Sequence, residues 1–353
     1  MITIKIHKRF NNQCVAELNI TDRLTLVSGD SSTGKTKICS MLEDREGSAF
    51  RVEVYDSKKN KVDLHYCTSL NRFEEVLLDS SKDMSVVVID EYVATEINKI
   101  ENKVIRGKIA KTCKYTVIFQ RDCIVKYNVG VNSVMHVQYQ NGMYKFIKPL
   151  AFNDNIELGN ITKCNVVLME DSKSGAKILS KYLPNNMVKT SRGNGDMPKE
   201  LEILYSKENV LCGLDYDQGG TALYNINNLV KEQSLDRGSL YFINMESFEE
   251  VLCNAEFILS KIPILRDYVN NMEKHMDCTF AHRGDYFLNL LKRMLYSSNA
   301  TYQKNSFSCF TTNCRDCQNK QCKFREETKD KIDVLFSNKY DLLYQFCKYH
   351  NNK

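Results

Sequence analysis

The stretch Gly29-Asp30-Ser31-Ser32-Thr33-Gly34-Lys35-Thr36 carries the most specific chemistry in the chain. It fits the phosphate-cradling pattern G-x-x-x-x-G-K-[ST] at every fixed position. Backbone N–H groups of such a loop, with the first turn of a following helix, form an anion site. Gly29 and Gly34 allow backbone conformations and a close phosphate approach that a Cβ would hinder. On this reading Lys35 reaches the β- and γ-phosphates of ATP, the Thr36 hydroxyl holds Mg²⁺, and Ser32 and Thr33 belong to the cradle. The competing reading is a chance glycine turn before a surface helix. The flanks argue against it. Leu24 to Ser28 reads as a buried strand, and Lys35 to Leu42 as a helix with Ile38, Met41 and Leu42 as its apolar positions.

A second constellation follows at Asp90-Glu91, after the apolar run Met84 to Ile89. Such a run reads as a fully buried parallel strand. Asp90 would bind Mg²⁺ directly or through water, and Glu91 would position and polarise an attacking water. The alternative is a buried strand followed by an N-capping Asp. An apolar strand ending in Asp-Glu downstream of the glycine loop resembles a Walker B motif. The two stretches together resemble the P-loop ATPases. In that family a further strand tip carries a polar sensor of the γ-phosphate. The resemblance implies Gln120 or Arg121 for that role, at the end of Tyr115 to Phe119, with ordinary turn residues as the alternative. There is no LSGGQ-like signature. The chain therefore resembles a minimal or degenerate ATPase of the AAA or ABC type, and the subclass stays open.

Three further carboxylates stand at expected strand ends. Glu170 follows Cys164 to Met169, and Asp215 and Asp217 follow Asn209 to Leu214. Carboxyl ends of parallel strands converge on one crevice. Three carboxylates there repel one another unless Mg²⁺ or Mn²⁺ binds between them. Such a metal can activate water and stabilise a phosphodiester transition state. Residues 163–252 resemble a Toprim domain, in which a Glu after the first strand and an Asp-x-Asp after a later one bind metal; Glu246 fits a further acidic position. The sequence departs from that family in having Glu170-Asp171 where Glu-Gly is usual, with the glycine arriving only at Gly175. A response-regulator receiver is the main rival, using Asp171 and Asp215. A Rossmann-like domain with solvated acidic strand ends is the third reading.

Cys309, Cys314, Cys317 and Cys322 form the last cluster, lying among Lys and Arg. Four thiols so spaced in a reduced compartment suggest a tetrahedral Zn²⁺ site. The first three also match plant-type [2Fe–2S] spacing, which the fourth does not continue. Unliganded thiols are the third reading, since the chain has 14 cysteines and those outside this cluster follow no pattern. Lys320, Lys323 and Arg325 suit nucleic-acid phosphates, or are ordinary surface charge.

These groups need elements to hold them. The chain has 353 residues, so two or three domains are expected. Its formal net charge of +5 is too small to indicate nucleic acid by itself. No apolar run is long enough to span a bilayer, and the alternating Met1 to Ile6 lacks a signal-peptide core, so a cytoplasmic location and reduced cysteines are expected. Residues 2–6 and 14–18 read as paired strands and 51–55 as another. Residues 70–78 read as a helix with Phe73, Val76 and Leu77 on one side. Val134 to Tyr139 and Met143 to Ile147 read as a hairpin around Asn141-Gly142. Downstream, helices are expected over 176–183, 199–205, 285–296 and 331–346. The fold class is α/β: a P-loop NTPase-like parallel-sheet domain (1–158), a Toprim-like α/β domain (159–255), and a helical cysteine-containing region (256–353).

The whole resembles compact relatives of the OLD family and of ATPase-coupled bacterial or phage defence nucleases. That resemblance implies an ATPase acting as gate or assembly switch and a Mg²⁺- or Mn²⁺-dependent nuclease acting on nucleic acid. It also implies a homo-oligomer or a partner protein, and no membrane. The alternative is a nucleotide-dependent regulatory or interaction protein with a catalytically inactive Toprim- or receiver-like domain.

Overall fold

The computed structural model describes residues 1–29, 33–45, 47–79, 84–99, 114–121, 130, 133–147, 158–170, 175–184, 186–191, 193, 196–205, 207–215, 222–226, 229, 240–245, 247–276, 280, 283–296 and 341–351. They divide into two compact units, one drawn from 1–150, 218–225 and 278–282, the other from 151–217, 226–277 and 283–353.

The first unit is built on a nine-stranded sheet of order β4-β1-β2-β9-β8-β3-β7-β6-β5. Its strands are β1 (Ile2–Lys8), β2 (Cys14–Ile20), β3 (Leu24–Ser28), β4 (Phe50–Asp56), β5 (Asp63–Cys67), β6 (Ser85–Ile89), β7 (Tyr115–Phe119), β8 (Val134–Gln140) and β9 (Met143–Ile147). The block β8-β3-β7-β6-β5 is parallel throughout. It contains the all-apolar or nearly apolar runs, as strands covered on both faces must. One face of β6 gives Val86 and Val88 to a core shared with β1, β2 and α1 (Lys35–Glu43). The other gives Val87 and Ile89 to a core shared with α2 (Leu70–Leu78) and α3 (Glu91–Lys99). Ile38, Met41 and Leu42 fill the first core, and Phe73, Val76 and Leu77 the second, as their helical spacing predicts.

At one side the sheet is largely antiparallel, and both expected hairpins are found there. β1 pairs antiparallel with both β2 and β4, and β9 pairs antiparallel with β8. β9 joins the two parts, meeting β2 in parallel at Ala16 and Tyr144. The β8–β9 hairpin turns at Asn141 (φ 51°) and Gly142 (φ 81°). Two successive positive φ values make the turn type that Asn-Gly favours and that matches strand twist.

The second unit has a four-stranded, all-parallel sheet of order β11-β10-β12-β13, formed by β10 (Val166–Met169), β11 (Val188–Thr190), β12 (Val210–Asp215) and β13 (Leu240–Met245). α4 (Leu158–Ile161), α5 (Gly175–Tyr182), α6 (Met197–Tyr205) and α7 (Phe248–Cys253) alternate with these strands or follow them. Short helices α8 (Glu256–Lys261), α9 (Leu265–Asn270) and α10 (Met272–His275) lead to α11 (Arg283–Tyr296), which packs on α7. α12 (Asp341–Asn351) packs on α4 and α5. It extends beyond the expected end at Phe346, while the expected residues 331–340 lie outside the described ones. Among the described residues no helix is long and apolar enough to cross a membrane.

Candidate functional site

β3 delivers the glycine loop. Its last residue, Ser28, is buried and its hydroxyl donates to the Met135 carbonyl of β8 at 3.1 Å. Asp30, Ser31 and Ser32 lie outside the described residues; Gly29, Thr33 and Gly34 are described. Gly34 has φ +101°, and a Cβ there would lie 2.2 Å from Tyr144 Cε1. Both the left-handed backbone and the lack of room therefore require glycine. At Gly29 an added Cβ would lie 2.6 Å from Thr33 Oγ1. α1 begins at once with Lys35, which is buried and whose ammonium donates to the Gly29 carbonyl across the loop.

Parallel β5, β6 and β7 end on the same edge as β3. A cleft of about 190 Å³ opens there, lined by Lys35, Thr36, Cys39, Tyr66, Asp90 and Glu91 among others. Asp90 follows β6 and caps α3: Oδ1 accepts from the Val93 N–H at 3.1 Å. The expected alternative of an N-capping Asp is met, and the same side chain borders the cleft. Asp90 Oδ2 accepts from the Tyr66 hydroxyl at 3.5 Å. Burial pushes the Tyr66 phenol well up, and pushes the adjacent Cys39 thiol up to about 12. Both stay protonated near neutral pH, so Tyr66 keeps its proton to donate. Glu91 opens α3 and is exposed; Arg121 Nε stands 3.8 Å from its Oε1, with side chains 60% and 47% exposed respectively. A solvated pair of this kind is weak.

Gln120, at the end of β7, is only 3% exposed. Its backbone N–H donates to the Val27 carbonyl at 3.0 Å. Neither atom of its side-chain amide has a hydrogen-bond partner among the described residues. A buried amide without a partner is costly, and such a group at a crevice needs an explanation.

Two residues here were not foreseen. Tyr66 sits on β5, a strand whose sequence Asp63-Leu64-His65-Tyr66-Cys67 buries only Leu64 and Cys67 and offers little apolar pattern. Tyr144 lies against Gly34, and the only sequence signal for it was its register beyond Asn141-Gly142.

In the second unit Glu170 directly follows β10 and is half-buried, with its N–H donating to the Gly213 carbonyl of β12 at 3.0 Å. Met169 pairs with Gly213, so Glu170 and Asp215 occupy the same edge of two neighbouring parallel strands. The Ser191 hydroxyl, buried beyond β11, donates to the Glu170 carbonyl at 3.3 Å and to that of Gly193 at 3.2 Å. A Cβ at Gly213 would lie 2.3 Å from Met169 Sδ, so the methionine side chain would have to shift to admit one. Asp171, Asp217 and Glu246 lie outside the described residues, as do Cys309, Cys314, Cys317 and Cys322. Among the described residues no three His, Cys, Asp or Glu side chains gather to hold a metal ion. The described cysteines, such as Cys39, Cys164 and Cys212, are free thiols.

Neither a protein family nor a curated protein matches the sequence. Among solved structures the chain is similar to the C-terminal region of the Xanthomonas campestris pv. campestris OLD protein, at 10% identity and a TM-score of 0.29, over 55% of this chain and 95% of that one. A similarity of that size carries no conclusion about activity.

Proposed function

We infer that the first unit binds and hydrolyses a nucleoside triphosphate, and that the second is a metal-dependent nuclease domain acting on nucleic acid. One observation carries the first half. Lys35 and Thr36, which follow β3, border one cleft with Asp90 and Glu91, which follow β6, and Gln120, at the end of β7 between those strands, is buried with no side-chain partner among the described residues. A triphosphate would supply anionic oxygens for the loop N–H groups and Lys35, and an acceptor for the Gln120 amide. The hard oxygen donors Thr36 and Asp90 fit Mg²⁺, which when bound would offset phosphate charge and orient the terminal group. Lys35 would exchange the Gly29 carbonyl for phosphate oxygen. Glu91, exposed and only loosely paired, is free to polarise a water.

The test is a pair of variants. Lys35→Ala should lose ATP binding, whereas Glu91→Gln should bind ATP and fail to hydrolyse it. Equal loss of binding in both would refute these roles.

The second half rests on Glu170 and Asp215 at neighbouring strand ends, with Asp217 as the third proposed ligand of Mg²⁺ or Mn²⁺. Cys309, Cys314, Cys317 and Cys322 are proposed to hold a structural Zn²⁺. Single-turnover cleavage of DNA and RNA with Mn²⁺, abolished in Glu170→Ala, tests the nuclease. No cleavage in either protein would favour a regulatory role for this unit. Elemental analysis finding about one zinc per chain, lost in Cys314→Ser, tests the cluster.

A further inference from the structure

The strand order sets apart the two ends of the cleft. From β3, the Asp90, Glu91 and Gln120 side is reached through β7 and β6. On the other side lie β8 and then β9, about 5 and 10 Å away at ordinary strand spacing. A triphosphate held at Lys35 with its terminal phosphate toward Asp90 and Glu91 therefore sends its nucleoside toward β8 and β9. Two tyrosines stand there. Tyr139, near the carboxyl end of β8, pairs directly with Tyr144 of β9. Their ring centroids are 4.8 Å apart, tilted by 48°.

We propose that the Tyr139–Tyr144 pair is the platform on which the base of the bound nucleotide stacks. This rests on the nucleotide reading of the glycine loop and extends it to the ligand's other end. Tyr144 lies against the loop itself, since a Cβ on Gly34 would run into its ring. It also packs on the core shared by α1 and β1, and its strand is held on both sides, by β8 and by β2. Tyr139 is 59% exposed, so its ring offers a surface to the solvent side. The Asn141-Gly142 turn fixes the register that brings the two rings together. The pair is thus a rigid aromatic step beside a phosphate cradle. Every base has a π-face, so stacking holds a base with little regard to its identity. The ligand class is a nucleoside triphosphate, with adenine and guanine bound to within a few-fold of one another.

The experiment compares Mg²⁺-ATP with Mg²⁺-tripolyphosphate, which has the phosphates and no base, by calorimetry on the full chain. Tyr139→Ala should bind ATP about tenfold more weakly, at the lower end of the range for losing a base–aromatic stack, and tripolyphosphate as well as the wild type does. Tyr139→Phe should keep wild-type affinity for both. The chain has no tryptophan, so Tyr139→Trp would supply its only indole. ATP should quench that emission and tripolyphosphate should not. Wild-type ATP affinity in Tyr139→Ala, or equal quenching by both ligands, would overturn the proposal while leaving the glycine-loop reading intact. Wild-type protein that binds neither ligand would overturn both.

Discussion

Asp90 Oδ1 accepts the Val93 backbone N–H at 3.1 Å, so one carboxylate both starts α3 and borders the cleft. Asn caps helices as well as Asp does. Asp90→Asn should therefore keep native stability and lose Mg²⁺-dependent ATP hydrolysis. Asp90→Ala should lose hydrolysis and also about 1 kcal/mol of stability with the cap. Urea melts beside activity assays separate the two roles; a substantially destabilised Asn variant would show that the cap is not what Asp90 contributes.

Gln120 should show stability and activity moving in opposite directions. Its amide is buried and has no hydrogen-bond partner among the described residues. Gln120→Leu removes that desolvated group at similar volume, and should raise the stability of the nucleotide-free protein by about 1 kcal/mol. The same variant should lose much of the extra thermal stability that Mg²⁺-ATP gives the wild type. A variant destabilised without nucleotide would mean that the amide has a partner in solution.

The elements around the cleft were legible. The spacing of Gly29, Gly34 and Lys35 announced a strand, a loop and a helix, the apolar run into Asp90 announced a buried strand, and the structure brings Lys35 and Asp90 to one cleft. The Asn141-Gly142 turn likewise set the hairpin register. β5 was not legible. Its neighbour β6 supplies the apolar content, and β5 itself buries only Leu64 and Cys67, too little for either period to register. How the first strand pair joins the parallel block was hidden for another reason. Residues 2–6 and 14–18 announce strands, but which strand they meet is decided by Ala16 against Tyr144, a pairing that no local pattern encodes.

Lys114 should prove a structural cation. It is 3% exposed, and its ammonium donates to the Val76 carbonyl at 2.6 Å and the Asp79 carbonyl at 3.1 Å, closing the C-terminal end of α2. Lys114→Met removes both hydrogen bonds and should cost about 1–3 kcal/mol, seen as a lower urea midpoint with an unchanged slope. An unchanged midpoint would mean that water replaces the ammonium there.

Alkaline pH should loosen the first unit through its buried thiols. Burial raises Cys67 from 9.0 to about 11 and Cys39 from 9.0 to about 12. A folded-state value above the unfolded one favours the neutral thiol in the native state. This contribution is complete below pH 9 and is lost as pH rises toward 11 or 12. The loss of stability between pH 8 and pH 10 should be smaller in Cys67→Ala than in wild type, read as the difference in urea midpoints. Parallel curves for the two proteins would rule Cys67 out as a source.

The place of β3 in the sheet has a consequence for synthesis. The strand that carries the glycine loop is flanked by β7 and β8, both of which come much later in the chain. Chains emerge from the ribosome N-terminus first, at about 5–20 residues per second. The strand that leads into the glycine loop therefore leaves early, has no neighbour to pair with until residue 119 is out, and lacks its second neighbour until residue 140 is out. β1, β2 and β4 can pair among themselves meanwhile, but join the parallel block only when β9 arrives. The parallel block around the glycine-loop strand is thus completed only once β8 is out, while the residues of the second unit are still to be made.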